Sequence, residues 1–151
     1  MINILFCGNN GVFDGMLTCA LSILKRTKSN DSFNFYLFTM DVSHIDKKYQ
    51  PITDRQTEFF ESVIKEYGKD NRVTKIDVTD AYLEEFGGCP NESAYCSPYT
   101  LIRLLADKFD EIPDKILYLD VDIMLNRDIT LLYDIDIEGY EYAAARDHYG
   151  K

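Results

Sequence analysis

The sequence predicts an α/β domain built on a mostly parallel sheet, and three observations carry that prediction. Short apolar runs alternate with amphipathic segments of helical period along all 151 residues, the pattern of strands connected by crossover helices. Hydrophobic residues make up 46% of the chain, enough for one well-filled core, while the length argues against two independent domains. Three segments of ligand-type residues also fall at the carboxyl ends of predicted strands: the loop from Cys7 to Asn10, the pair Asp120 and Asp122, and Asp147. Open parallel sheets collect their ligands at those ends.

The elements follow in order. Residues 2–7 form an apolar run that opens into Gly8-Asn9-Asn10-Gly11, a strand followed by a glycine turn. Asp14 reads as the cap of a helix reaching about Thr27, with Leu17, Ala20, Leu21 and Leu24 on its inner face. A loop of this kind lets backbone amides approach a ligand and offers a helix N-terminus to an anion. An ordinary βα turn has the same composition, and neither the dinucleotide nor the P-loop glycine pattern is present.

Residues 33–40 make a second strand, apolar and aromatic throughout. Thr53 and Gln56 have capping-box spacing and open a helix whose stripe is Phe59, Phe60, Val63, Ile64 and Tyr67, with Gly68 just past its end. Residues 72–78 alternate apolar with polar, which places this third strand near a sheet edge. Residues 79–86 form a short helix stopped by Gly87-Gly88, and residues 89–97 form an irregular loop positioned to cover a ligand. Ser97-Pro98 then supplies an N-cap and a first-turn proline for a helix with Leu101, Leu104, Leu105 and Phe109 inward. Arg103 lies off that stripe and by itself reads as a solvated arginine. After a strand at 115–119 come a helical turn at 128–133 and a strand at 142–146, the latter ending in Asp147-His148.

The strand at 115–119 is the chemically distinctive one. It ends in Asp120-Val121-Asp122, and side chains alternate along an extended chain, so the two carboxylates project to one side and Val121 to the other. Apolar residues on both flanks place the acids in a hydrophobic setting. Two anions sharing a small volume call for a proton, a basic partner or a divalent cation, because desolvating them unpaired costs several kcal/mol per ion. Oxygen-only ligands suit manganese or magnesium, which also hold the phosphate oxygens of substrates. On its own, Asp-x-Asp at a strand end is more often just a turn than a metal site.

The formal charge is −10 with no basic run, which argues against nucleic acid and against an anionic membrane surface. For a phosphate-binding protein that charge is accommodated if a bound dication faces the phosphates. No window approaches the length of a transmembrane helix and the N-terminus enters a strand without a charged leader, so the expected location is the cytoplasm. Of four cysteines, Cys7 and Cys19 read as core residues; Cys89 and Cys96 lack metal-site spacing, and a disulfide between them stays open, with reduced thiols the expectation in a cytosolic protein.

Phe6-Cys7-Gly8-Asn9-Asn10, Pro98-Tyr99-Thr100-Leu101-Ile102-Arg103-Leu104 and Leu117-Tyr118-Leu119-Asp120-Val121-Asp122 together resemble glycosyltransferase family 8, which includes bacterial lipopolysaccharide galactosyltransferases and glycogenin. The similarity runs through the entire chain. It implies a GT-A, Rossmann-like fold that binds a UDP-sugar and manganese and transfers the sugar to a glycan, a lipopolysaccharide or another acceptor with retention of configuration. By the same resemblance, Asp120 and Asp122 ligate the metal, Cys7, Gly8, Asn9 and Asn10 hold the uridine, and Val121 and Arg103 adjoin the donor. Asp147 matches a family aspartate near the donor sugar. Two departures stand out: Gly8, Asn9 and Asn10 replace the acidic residue usual in the first loop, and Gly11 stands where an aromatic stacks on uracil, leaving Val12 or Phe13 for that contact. The histidine that completes the family's metal shell is also missing, since His148 is misplaced for it and reads as a surface residue. The chain is therefore expected to be the N-terminal, donor-binding part of a longer enzyme, weakly active or inactive alone.

Two rivals are a haloacid-dehalogenase-type phosphatase, with Asp120 as nucleophile and Asp122 as its acid partner, and a non-catalytic module that only binds nucleotide sugar. The phosphatase pattern places its acid pair after the first strand, whereas here the pair comes late.

Overall fold

The computed structural model describes residues 1–90, Glu92 and residues 97–145. Its centre is a four-stranded parallel sheet with β1 at Ile2–Cys7, β2 at Phe33–Thr39, β3 at Arg72–Asp77 and β4 at Leu117–Tyr118, in the order β3-β2-β1-β4. The three helices α1 (Phe13–Arg26), α2 (Asp54–Lys65) and α3 (Thr79–Phe86) connect or follow these strands, and α4 (Thr130–Tyr133) is a single turn. The polar third strand is an edge strand, as its alternation predicts.

Period-two alternation along β1 and β2 divides the core between the two faces of the sheet. Ile4 and Phe6 of β1, with Phe33, Phe35 and Leu37 of β2, pack under α1 and α2. Leu5, Cys7, Tyr36 and Phe38 face the other way, against Tyr82 of α3 and Tyr99, Ile102 and Leu105. On the first face Phe35 stacks between Phe6 and Phe33 and meets Phe60 edge-on, so aromatic rings dominate that layer. The amino-terminal pole is tied by buried Asn71, whose amide donates to the carbonyl of Ile64 and whose oxygen accepts from the amide of Phe33.

Several local expectations need correction. Asp14 does not cap α1; a short 3₁₀ turn, Asn10–Val12, leads into it, and the Asn9 side chain accepts from the Gly11 amide. The buried face of α1 is Phe13, Met16, Cys19, Ala20 and Ile23, displaced around the helix from the predicted stripe. In α2 the capping box forms as read, but Phe59 and Tyr67 are exposed and only Phe60 and Ile64 are buried. Residues 98–108 form two 3₁₀ segments, Pro98–Thr100 and Ile102–Lys108. Three residues per turn put Tyr99, Ile102 and Leu105 on the inner line and leave Leu104 outside.

The predicted five-residue fourth strand is a two-residue ladder. The Lys115 carbonyl is taken by the side chains of Asn3, in β1, and Tyr133 instead of by a β1 backbone amide. Residues 142–145 are exposed coil rather than strand. Arg146, Asp147 and His148 lie outside the described residues, as does Cys96 and hence its pairing with Cys89. No helix among the described residues is long and apolar enough to cross a membrane.

Candidate functional site

Successive strands after β1 step outward on one side, to β2 and then β3, whereas β4 returns to pair on β1's other edge. The order therefore reverses between β1 and β4, and the crevice beyond their carboxyl ends is where open α/β sheets bind ligands. A cleft of about 440 Å³ lies there, lined by Cys7, Gly8, Asn9 and Val12 from the β1 side and Tyr118, Asp120, Val121 and Asp122 from the β4 side. Ser97, Tyr99 and Thr100 form a third wall.

Most of the candidate residues meet in this cleft. Neither Asn10 nor Arg103 is among its lining residues; the Asn10 amide donates to the Gln50 carbonyl and its carbonyl accepts from the Gln56 side chain, so it anchors the loop from behind. Phe13 is a core residue set edge-on against Phe60, which leaves Val12 as the apolar side chain of the first loop that faces the cleft. Gly8 leaves room for its neighbours, because a Cβ there would stand 2.4 Å from Val12 Cγ2 and 2.7 Å from Met16 Cε and both side chains would have to shift.

The carboxylates are exposed, which corrects the hydrophobic setting expected for them. The strand ends at Tyr118, and Val121 and Asp122 already belong to a turn. From Val121 onward the apolar residues Val121, Ile123 and Leu125 pack against the core under α1, while Asp120, Asp122 and Met124 alternate outward. The apolar flanks thus fasten the segment without burying the acids, and the desolvation cost of a buried anion pair does not arise.

Two residues of α1 that sequence reasoning passed over hold this segment in place. Gly15 lets the Val121 carbonyl come so close that a Cβ would lie 2.7 Å from its oxygen. Ser22 Oγ accepts from the Leu125 amide at 2.9 Å while donating to the Cys19 carbonyl at 2.7 Å. A glycine inside an amphipathic helix costs about 1 kcal/mol relative to alanine; Gly15 was the available signal of a close approach.

Arg103, unplaceable from its helix position, has a defined location. Its guanidinium lies 5.0 Å from the centroid of the Tyr118 ring and donates to the Tyr118 hydroxyl at 3.3 Å. That hydroxyl donates to Asp120 Oδ1 at 2.6 Å. Burial, reinforced by the bond to Asp120, pushes the Tyr118 phenol well above its ordinary range, so it is a fixed donor at neutral pH. Burial likewise raises the Cys7 thiol, outweighing the nearby Arg103 charge, so Cys7 contributes a neutral surface and no thiolate.

Asp120 and Asp122 offer hard oxygen donors of the kind manganese and magnesium prefer, and their exposure in an open cleft fits partial coordination. Among the described residues, no group of three or more His, Cys, Asp or Glu is gathered to hold a metal.

The sequence profile of glycosyl transferase family 8 matches residues 3–151. The chain belongs to glycosyl transferase family 8. A proposed glycosyltransferase of Haemophilus influenzae strain Rd is 25% identical over 146 residues, covering 97% of this chain and 39% of its own length. The galactosyltransferase LgtC, solved with donor and acceptor sugar analogs, superposes with a TM-score of 0.67 at 20% identity, over 89% of this family 8 chain and 43% of LgtC. Mouse xyloside xylosyltransferase 1 in its apo form gives a TM-score of 0.57 at 11% identity, over 88% of this chain and 47% of that one. The fold is accordingly GT-A, and the chain spans about two fifths of the curated relative it matches.

Proposed function

We propose that this family 8 chain is the donor-binding part of a single glycosyltransferase domain, one that moves a hexose from a UDP-sugar to a glycan or lipopolysaccharide-like acceptor with retention. The observation that carries the reading is the cleft at the sheet's switch point, where the glycine loop after β1 faces Asp120 and Asp122. The uridine lies along Cys7, Gly8 and Asn9, with Asn10 bracing the loop, and the diphosphate lies toward the acids beside Val121 and Arg103.

In this reading Asp120 and Asp122 hold manganese, or magnesium as the other suitable hard dication. The ion, when bound, supplies Lewis-acid stabilisation of charge on the departing nucleotide. Arg103 adds positive charge on the same side, and each 1.36 kcal/mol of selective stabilisation is worth about tenfold in rate. An oxocarbenium-like sugar centre is stabilised by nearby carboxylate; Asp147, outside the described residues, is proposed for that role by family resemblance. The acceptor site and the remaining metal ligand belong to a longer protein, so this chain alone is weakly active or inactive.

Calorimetry with UDP and manganese tests the assignment. The parent chain binds UDP only with the metal present, and Asp120→Asn with Asp122→Asn abolishes that binding. Full affinity retained in the double variant removes the transferase reading, and phosphate-ester hydrolysis without UDP binding replaces it with the phosphatase.

A further inference from the structure

In the second cleft, lined by residues 125–129 with Leu131 and Leu132, the Asp128 carboxylate is already taken by the amides of Lys28 and Thr130, and nothing in the structure shows what would cover the apolar rim. The loop end of β4 carries more. Tyr118, the last residue of β4, precedes Asp120 by two residues, and its hydroxyl reaches back over the Asp120 carboxylate. Its hydroxyl has one proton to give, and gives it to Asp120 Oδ1. The same hydroxyl accepts from Arg103, whose guanidinium sits over the ring rather than on the carboxylate.

From this geometry we infer that Tyr118 is a positioning residue for the metal ligand. By holding Oδ1 of Asp120, it turns the other carboxylate oxygen to the cleft and keeps Arg103 from neutralising the acid. The inference rests on the metal-binding reading given above and extends it to a residue of the cleft wall that acts through Asp120. An exposed aspartate otherwise samples several rotamers, and a dication binding it must select one. Hydrogen-bonding partners behind a ligand commonly govern metal affinity by about 10–100-fold. Ring packing and donor capacity are separable here: Tyr118→Phe keeps the ring under Arg103 and removes only the hydroxyl.

Manganese titration of the chain, followed by the loss of the free-ion paramagnetic resonance signal and run without nucleotide, reads the effect directly. Tyr118→Phe is expected to weaken manganese binding by about tenfold or more, with the unfolding midpoint in chelator close to that of the parent. Arg103→Met, which leaves the Tyr118–Asp120 bond intact, is expected to shift manganese affinity less than Tyr118→Phe does. If the parent binds manganese and Tyr118→Phe binds it equally well, the positioning role is overturned and the metal assignment stands. The role is also overturned if Tyr118→Phe loses affinity only in step with a lowered midpoint. If the parent binds no manganese, both readings fall together.

Discussion

Replacing Gly15 by alanine tests whether α1 positions the paired acids. The new Cβ would stand 2.7 Å from the Val121 carbonyl oxygen, and ordinary contact begins near 3.4 Å, so the carbonyl must withdraw by about 0.7 Å. The group in the way is backbone and cannot rotate aside. Overpacking of this kind costs about 1–3 kcal/mol, while alanine in place of glycine inside a helix returns about 1 kcal/mol. The net expectation is a loss of about 0–2 kcal/mol, seen as a fall of up to about 8 °C in midpoint at ~2–4 °C per kcal/mol for a chain of this size. Because Val121 lies between the two acids, the larger effect falls on the cleft: manganese-dependent UDP affinity, by calorimetry, drops about tenfold or more. A variant stabilised by the full ~1 kcal/mol of helix propensity, with affinity unchanged, would refute the argument that the loop is pressed against α1.

Gln56→Ala removes the side chain that closes the capping box with Thr53 and also grips the Asn10 carbonyl. Chemical denaturation should record a loss of about 1 kcal/mol, accompanied by faster amide exchange at Asn10. Asp128 accepts from the amides of Lys28 and Thr130, and these bonds hold its carboxyl below the ordinary value of 3.8. A depressed folded value means that this contribution is complete above the unfolded value and disappears as pH falls through the folded one. Thermal midpoints of the parent and Asp128→Asn measured from neutral pH downward should therefore differ most above about pH 4 and converge in stronger acid.

What the sequence made legible was the backbone order. Ile2–Cys7, Arg72–Asp77 and Thr79–Phe86 follow from apolar runs and caps that act locally, and the structure repeats them within a residue. Helix faces were less legible, because Leu and Phe occur on both sides of α1 and α2 and only tertiary packing selects Met16 and Phe60 over Leu17 and Phe59. The 3₁₀ winding of Ile102–Lys108 was invisible for a related reason: its residues are good α-helix formers, and a change from 3.6 to 3.0 residues per turn leaves no mark on composition. In the site, Asp120 and Asp122 announced themselves by spacing. Tyr118 did not, and Gly15 signalled a close approach without naming what approaches, since a tyrosine in a strand and a glycine in a helix acquire a specific role only through the group folded beside them.

The buried amide of Asn71 fastens the end of the sheet opposite the cleft, joining the exit of α2 to the entrance of β2. Robustness and reactivity are consequently housed at separate poles of one small body. The loop pole is free to exchange its glycines, asparagines and phenols for other recognition chemistries, while the knotted base keeps the strands in step beneath it.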